Sequence, residues 1–426
     1  MKNKFSILDL GIAVSATLGL TLLALNLAEG EKKVVSRLKT LYGVRDPQFL
    51  RSMGVLLGPG IEEGNRIEYL ENGDRIFPAM LDAIRSAQKT ITFETFIYWS
   101  GTIGRALAEA LRERAQAGVR VHVLLDWAGS VRMESELLDR MKRDGVEVER
   151  YHQPRWYHLG RMNNRTHRKL LVVDGRLGFT GGVGIADQWL GNAQDEDHWR
   201  DAHFRVEGPV VSKFQAVFMD NWVKATGRVL HSADYFPRLE PAGDLPAQMF
   251  SSSPTGGSES MHLMYLLAIA AAQESILLSS AYFVPDALAV DALVDAALRG
   301  VKVRIITPGK YIDTIMVRRA SRARWGRLLE AGIEIYEYLP TMFHCKVMII
   351  DGYLVSTGST NFDNRSFRLN DEANLNIYDE GFAGMMTGVF ERDLQRARRV
   401  DLDQWRHRPL QQKAVEHATS LLGKQL

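Results

Sequence analysis

The feature that most constrains the fold of this chain is a cassette of residues that occurs twice. Each copy has His and Lys two positions apart, then four apolar residues, then an Asp-Gly pair. The residues are His167, Lys169 and Asp174 in the first cassette and His344, Lys346 and Asp351 in the second. Chance does not readily produce two copies of so specific a pattern. The chain is therefore interpreted as two copies of half an active site.

Three other segments repeat in the same order, which indicates a tandem duplication. The matching ranges are 83–91 with 268–276, 117–121 with 299–303, and 144–148 with 331–335. Helical and strand periodicities alternate in both halves, which predicts an α/β fold with helices on the faces of mixed or largely parallel sheets. Two such α-β-α repeats, packed face to face as a pseudo-twofold sandwich, would bring the two cassettes together.

Composition suggests where the repeats begin and end. Repeats are expected at 65–240 and 259–410, preceded by a basic segment and linker at 31–64 and followed by a tail at 411–426. Prolines and glycines in 241–258 mark an inter-repeat linker. The charged, amphipathic C-terminal part is expected to form a helix that packs back on the body.

The first 30 residues are predicted to form a membrane segment. No charge occurs from Leu10 to Ala28, and a helix of that length spans about 28 Å, close to the hydrocarbon core of a bilayer. A secretory signal peptide is the rival interpretation, although Asn26 and Ala28 make a poor cleavage site. More basic residues follow the segment than precede it, which places the body on the cytoplasmic side. They are Lys32, Lys33, Arg37, Lys39 and Arg45.

The cassettes indicate phosphate chemistry without a metal. In a strand, residues two apart share a face, so a Lys ammonium could neutralise phosphate oxygens while the His attacks or donates a proton. A lysine is no metal ligand at neutral pH, and the single cysteine, Cys345, excludes a cysteine-based zinc site and an internal disulfide. The net charge of +2 leaves any attraction to anions to local clusters.

The paired His-x-Lys-x4-Asp pattern resembles that of the phospholipase D superfamily, and its surroundings resemble the bacterial cardiolipin synthases of that superfamily. The similar segments are 164–169, 179–182, 199–201, 206–209, 282–286, 303–310 and 358–361. The resemblance implies a phosphatidyltransferase that moves a phosphatidyl group between phospholipids through a phosphohistidine, without metal or cofactor. It implies phospholipid substrates, phosphatidylglycerol first and phosphatidylethanolamine second, and a single-pass location in the bacterial inner membrane.

The resemblance also assigns roles to residues. It makes His167 the nucleophile and His344 the acid and base, an order that the symmetry of the two cassettes leaves open. Lys169 and Lys346 would hold the phosphate oxygens. Further phosphate contacts are expected from Ser359, Asn361 and Gly182.

Carboxylates are expected to support the site. By the same resemblance, Asp201 and Glu372 would each orient an imidazole through a hydrogen bond. Asp174 and Asp351 complete the catalytic pattern and are expected to support its loop rather than touch the substrate. One departure stands out: Gly184 occupies the position where many family members carry Asn, as Asn361 does in the second half. The first half then lacks one phosphate donor, which would alter rate or lipid preference.

Other functions are weighed against this one. A phospholipase D hydrolase would use the same residues. A nuclease is disfavoured by the membrane segment and by the lack of an extended basic-aromatic stripe, so no nucleic-acid partner is expected. A lipid-binding scaffold with a dead site is disfavoured by two intact cassettes. The arginines of 318–327 could contact anionic headgroups or a nucleic-acid backbone, or form a solvated helix face, and the sequence does not fix the oligomeric state.

Overall fold

The computed structural model describes residues 11, 13–21, 34, 37–39, 42–151, 164–254 and 260–420. Residues 11 and 13–21 are helical, but no helix in these ranges is long and apolar enough to cross a bilayer. Much of the predicted membrane segment lies outside the described residues, as do Lys32 and Lys33. The single-pass topology therefore stays a prediction.

The first half of the body, up to residue 240, alternates helices and strands. Its helices are α1 (Pro47–Leu56), α2 (Asn72–Ser86), α3 (Thr102–Gln116), α4 (Ser135–Arg143) and α5 (Val211–Thr226). Its strands are β1 (Glu62–Glu71), β2 (Thr90–Thr95), β3 (Arg120–Asp126), β4 (Glu147–Tyr151), β5 (Arg165–Thr166), β6 (Leu170–Val173), β7 (Leu177–Gly181) and β8 (Ala202–Glu207). A short 3-10 helix, Asp187–Trp189, precedes β8.

The second half repeats this alternation. Its strands are β9 (Leu245–Ser252), β10 (Ser275–Ser280), β11 (Phe283–Val284), β12 (Lys302–Pro308), β13 (Glu334–Tyr338), β14 (Lys346–Ile350), β15 (Leu354–Gly358), β16 (Phe362–Asp363), β17 (Asn370–Tyr378) and β18 (Ala397–Arg399). Its helices are α6 (Ser260–Ala271), α7 (Ala287–Leu298), α8 (Ile315–Glu330), α9 (Asn364–Arg368), α10 (Glu380–Gln395), α11 (Leu402–Arg406) and α12 (Leu410–Ser420).

The strand order shows the duplication. The hydrogen-bonded path runs β18-β13-β12-β10-β14-β15-β17-β9-β1-β8-β7-β6-β2-β3-β4, so the same sequence of strands extends from either side of the β9–β1 junction. Pairs β2–β3, β3–β4, β10–β12 and β12–β13 are parallel, and the other pairs on the path are antiparallel. The predicted α/β class with mixed sheets is confirmed.

The sheets of the two halves meet edge to edge as well as sharing a core. Strand β9 pairs with β1 through Glu62–Ala247 and Asn65–Leu245. One apolar cluster combines residues of both halves, including Phe214 and Phe218 of α5 and Phe382 of α10. Because the two halves bury apolar surface against each other, the cassettes are held in one common framework.

Two segments predicted to be linkers contain regular secondary structure. Residues 241–258 contain β9, which lies between β1 and β17 in the sheet. Its Ala247 and Met249 are fully buried, although the prolines near its ends are more typical of a loop. The linker within 31–64 contains α1, in which Phe49 and Met53, four residues apart, bury the same face. Pro47 is the first residue of this helix, where a proline is compatible with helical structure.

The C-terminal part packs back on the body, as predicted. Helix α12 lies against α8, and its buried Glu416 accepts hydrogen bonds from Arg322 and Arg408. In α8, Arg318 and Arg322 also form ion pairs with Glu337. These arginines are therefore neutralised within the protein.

Candidate active site

The two cassettes enter the site in the same way. His167 and Lys169 lie in the segment just before β6, and His344 lies just before β14, which begins at Lys346. Three of the four residues expected within a strand, His167, Lys169 and His344, therefore lie one to three residues before it, whereas Lys346 is the first residue of its strand. The N–H of His167 donates to the carbonyl of Asp371 at 2.9 Å, and the N–H of His344 donates to that of Arg200 at 2.8 Å. Each cassette is thus anchored to the opposite half.

Each imidazole also receives its carboxylate from the opposite half. Nδ1 of His167 lies 3.0 Å from Oε1 and 3.1 Å from Oε2 of Glu372. Nδ1 of His344 lies 2.7 Å from Oδ2 of Asp201. A carboxylate at Nδ1 favours the tautomer with the hydrogen on Nδ1, which leaves the lone pair on Nε2 for attack or proton transfer. Neither half carries a complete imidazole–carboxylate pair by itself.

The two carboxylates are held by different donors. Glu372 accepts the hydroxyl of Ser359 and, at 3.2 Å, the side-chain amide of Asn370. Asp201 accepts the indole N–H of Trp189 at 2.8 Å. The hydroxyl hydrogen of Ser359, expected to serve the phosphate, is directed to Glu372 in this structure.

Aromatic rings pack against both imidazoles. The ring of Phe96 lies 5.3 Å from that of His167. On the other side, Trp189 and Trp199 lie 5.3 and 5.4 Å from the ring of His344. These aromatic residues are not predicted from the sequence: Trp199 lies in a segment of family resemblance but has no assigned role, and no sequence pattern points to Trp189.

The lysines are buried beside the histidines. Nζ of Lys169 donates to the carbonyl oxygen of His167 at 2.7 Å. Nζ of Lys346 donates to the carbonyl oxygen of His344 at 2.7 Å and lies 3.2 Å from both ring nitrogens of His344. Burial, followed by the charge of Lys346, lowers the pKa of Lys169 to about 7. Burial also lowers the pKa of Lys346. An anion bound here would favour the charged form of both lysines.

Burial also controls the histidines. It lowers the pKa of His167 to about 4 and that of His344 to about 3; the neighbouring lysines act in the same direction and the carboxylates oppose it. Both imidazoles are therefore neutral near pH 7. Burial alone would raise the pKa of Glu372 and Asp201, but the adjacent His and Lys groups hold both pKa values below their usual range. The site thus combines neutral nucleophiles with ionised carboxylates.

Asp174 and Asp351 lie in the turns that follow β6 and β14 and bind backbone rather than the histidines. The Asp174 carboxylate accepts three N–H groups, at 2.7 to 2.9 Å, and that of Asp351 accepts three at 2.8 Å. The donors are Gln88, Lys89, Thr90, Gln273, Glu274 and Ser275. Both acids bind the chain at the start of β2 or β10, and the supporting role expected for them stays a prediction.

The small residues after the cassettes mainly provide space. A Cβ at Gly182 would lie 2.1 Å from Oδ1 of Asp201, and the N–H of Gly182 already donates to the carbonyl of Ala202 at 3.0 Å. The expected phosphate contact from Gly182 therefore lacks a free backbone donor. Asn361 is buried, and its Oδ1 has no hydrogen-bond partner within the described part of the chain. Across the ranges described above, no group of three or more His, Cys, Asp or Glu residues could hold a metal ion.

Comparisons with known proteins agree with this geometry. The family model "Cardiolipin synthase, PLD-like domain" matches residues 80–222 and 265–394, so each matched range contains one cassette. A cardiolipin synthase of Geobacillus thermodenitrificans is 36% identical over 83% of this chain and 71% of its own length. Cardiolipin synthase A of Pseudomonas syringae pv. syringae is 34% identical over 88% of this chain and 77% of its own length.

A solved structure shares the fold. The phosphatidylserine synthase of Haemophilus influenzae matches with a TM-score of 0.64 at 15% identity and covers 88% of this chain and 99% of its own. At that identity the likeness concerns the fold alone. Two family-model matches, one in each half, and extended identity to curated relatives show that this chain belongs to the cardiolipin synthase family with phospholipase D-like domains.

Proposed function

We propose that this protein is a cardiolipin synthase that transfers a phosphatidyl group from phosphatidylglycerol to a second phospholipid through a phosphohistidine. The observation that carries the proposal is the exchange of carboxylates between halves: His167 is held by Glu372, and His344 by Asp201. This exchange places two neutral imidazoles in one enclosed site together with two lysines. Such a site suits the transfer of a phosphodiester between two alcohols.

In the first step, Nε2 of His167 attacks phosphorus and the bond from phosphorus to the glycerol oxygen breaks. Protonated His344 gives its proton to that oxygen, and glycerol leaves. Lys169 and Lys346 neutralise the non-bridging phosphate oxygens as charge develops on them. Both histidines are neutral in the free site because burial, and after it the lysine charges, lower the pKa of each imidazole. We propose that the bound phosphate anion offsets the lysine charges, which allows His344 to carry a proton.

In the second step, neutral His344 takes the proton of the acceptor hydroxyl. That oxygen attacks phosphorus, the phosphorus–nitrogen bond breaks, and His167 returns to its neutral form. Glu372 would stabilise the positive ring of phosphorylated His167, and Asp201 the imidazolium of His344. With phosphatidylglycerol as both donor and acceptor, the products are cardiolipin and glycerol in equal amounts.

Lipids and membrane complete the proposal. Phosphatidylglycerol is the proposed donor and acceptor at the bacterial inner membrane, because its headgroup carries the free hydroxyl that the second step needs. Phosphatidylethanolamine has no free hydroxyl, so it would serve only as a second donor, with ethanolamine as the leaving group. The uncharged stretch from Leu10 to Ala28 and the basic residues after it support a single pass with a cytoplasmic body. The related cardiolipin synthases support the choice of lipid class.

Purified full-length protein in phosphatidylglycerol vesicles tests the proposal. With a chelator present, we expect cardiolipin and glycerol in a one-to-one ratio, measured by mass spectrometry and a glycerol assay. The double variant His167→Ala/His344→Ala is the matched control for background transfer. Phosphatidic acid without cardiolipin would show that the protein is a hydrolase instead.

A further inference from the structure

The donor to Asp201 comes from an unexpected residue. In the second half, Ser359 lies two positions before Asn361, and its hydroxyl donates to Glu372. Its counterpart in the first half is Gly182, which has no side chain and sits against Asp201. The indole N–H of Trp189, 2.8 Å from Oδ2 of Asp201, supplies the donor that Gly182 lacks.

A second difference provides the space for that indole. Gly184 is the counterpart of Asn361, and a Cβ at Gly184 would lie 3.1 Å from both Cη2 and Cζ3 of Trp189. It would also lie 2.8 Å from Cβ of Ile97. A side chain at position 184 and the indole of Trp189 therefore compete for the same volume.

The indole is firmly placed. Trp189 is 2% exposed and is the last residue of the 3-10 helix Asp187–Trp189. Its backbone N–H donates to the carbonyl of Ala186 at 3.1 Å. Asp187 in turn accepts the N–H groups of Thr102 and Ile103 at 2.9 and 3.0 Å at the start of α3. A donor on a rigid element fixes its acceptor more closely than a donor on a loop.

We propose that Trp189 is a positioning residue for His344, that it acts through Asp201, and that the absence of a side chain at Gly184 makes its position available. The indole N–H holds the carboxylate in the orientation that receives Nδ1–H of His344, while the indole ring meets the imidazole at 78°. The inference rests on the proposed function in that His344 is taken as the proton carrier.

The indole N–H also shares the carboxylate with the imidazole. Oδ2 of Asp201 accepts both donors, so loss of one strengthens its hold on the other. The charged groups that act on His344 are Lys346, Lys169 and Asp201. Replacing the indole by phenyl leaves these charges in place and removes the second donor to Oδ2 of Asp201. The basicity of His344 is then expected to increase.

The test compares Trp189→Phe with Trp325→Phe. Trp325 is buried in α8 and its indole N–H donates to Ser321 at 3.0 Å, away from the cassettes, so it controls for the loss of a buried indole hydrogen bond. We expect Trp189→Phe to lower kcat about 10- to 100-fold with little change in KM, the loss anticipated for one hydrogen bond to a charged group. The limb of the pH profile that reports His344 should move to higher pH. Trp325→Phe should change neither.

Gly184→Ala tests the competition for space. Placed in the parent protein it should displace the indole and lower kcat. Combined with Trp189→Phe it should lower kcat by a smaller factor than in the parent protein, because phenyl lacks the outer indole ring while the contact with Ile97 is common to both backgrounds. Losses in kcat that simply multiply would overturn the link between Gly184 and Trp189.

An NMR measurement separates this inference from the proposed function. In 15N-histidine-labelled protein at pH 7, the Nδ1–H signal that His344→Ala removes should move downfield in Trp189→Phe, while the Nδ1–H signal of His167 stays in place. An unchanged His344 signal overturns the inference even if the protein makes cardiolipin. A shifted signal upholds it even if the protein makes none, in which case only the proposed function fails.

Discussion

The two halves of the site have the same backbone arrangement but differ in the side chains around each imidazole. Both cassette histidines donate their backbone N–H to the opposite half and both face a carboxylate from it. Yet Nζ of Lys346 lies 3.2 Å from both ring nitrogens of His344, whereas Nζ of Lys169 donates to the carbonyl oxygen of His167 and lies 5.8 Å from the ring centroid of Phe96. The duplication therefore explains the matching backbone and carboxylate contacts of the two histidines. The unequal lysine contacts give the two imidazoles different surroundings, which allows them to take different roles.

The largest expected effect comes from removing each imidazole in turn. His167→Ala should lower transfer by about 10,000-fold, and His344→Ala by about 100- to 10,000-fold, because one loses the nucleophile and the other the proton carrier. With a nitrophenyl-type donor, whose leaving group needs no proton, His344→Ala should still form acid-labile phosphoenzyme. Rapid quench with a labelled donor measures it.

The control for this experiment is His167→Ala with the same activated donor, which should form no phosphoenzyme. Phosphoenzyme in His167→Ala but none in His344→Ala would reverse the assigned roles.

A medium effect is expected from pH. Burial and the charge of Lys346 lower the pKa of Lys169 to about 7, so the free enzyme loses this cation as the pH rises through about 7. Only the charged lysine neutralises phosphate, so kcat/KM should fall at higher pH by about tenfold per unit. Lys169→Arg should remove the decline, because a guanidinium keeps its charge.

Lys346→Arg is the matched variant in the other half and should retain the decline. Steady-state rates from pH 5.5 to 9 on phosphatidylglycerol vesicles provide the measurement. A decline that persists in Lys169→Arg would assign it to a different group.

The smallest effect should be equal in the two halves. Asp174→Asn and Asp351→Asn each remove a carboxylate that accepts three backbone N–H groups, and each should cost about 1–3 kcal/mol of unfolding free energy. Asn tolerates the positive φ of 52° and 51° at these positions, so the change tests the carboxylate alone. Urea denaturation followed by circular dichroism gives the values. A large loss in only one half would contradict equal supporting roles.

The sequence predicted the framework because it is repeated and periodic. Two cassettes with matching flanks predicted two related halves. The buried strands β6 (Leu170–Val173) and β14 (Lys346–Ile350) occupy equivalent places in the two halves: β6 lies between β7 and β2, and β14 lies between β15 and β10. Strand β9 was missed because its prolines resemble those of a loop, although its side chains are buried against β17.

The fine structure of the site could not be predicted in the same way. Which carboxylate serves which imidazole depends on how Asp371 and Arg200 meet the opposite cassette, and each pairing joins residues about a third to a half of the chain apart. The directions of the Ser359 hydroxyl and the Trp189 indole depend on packing, which no local pattern encodes. The membrane segment lies largely outside the described residues and stays a prediction.

The exchange of carboxylates has a consequence for how such a protein can diverge. Were the two halves separate identical subunits, every substitution would appear on both sides of the symmetry axis at once. Joined in one chain, each side can change alone. A glycine at 184 and an indole at 189 are such one-sided changes, since Asn361 has kept its side chain. Covalent linkage thus allows one imidazole to specialise without altering the other.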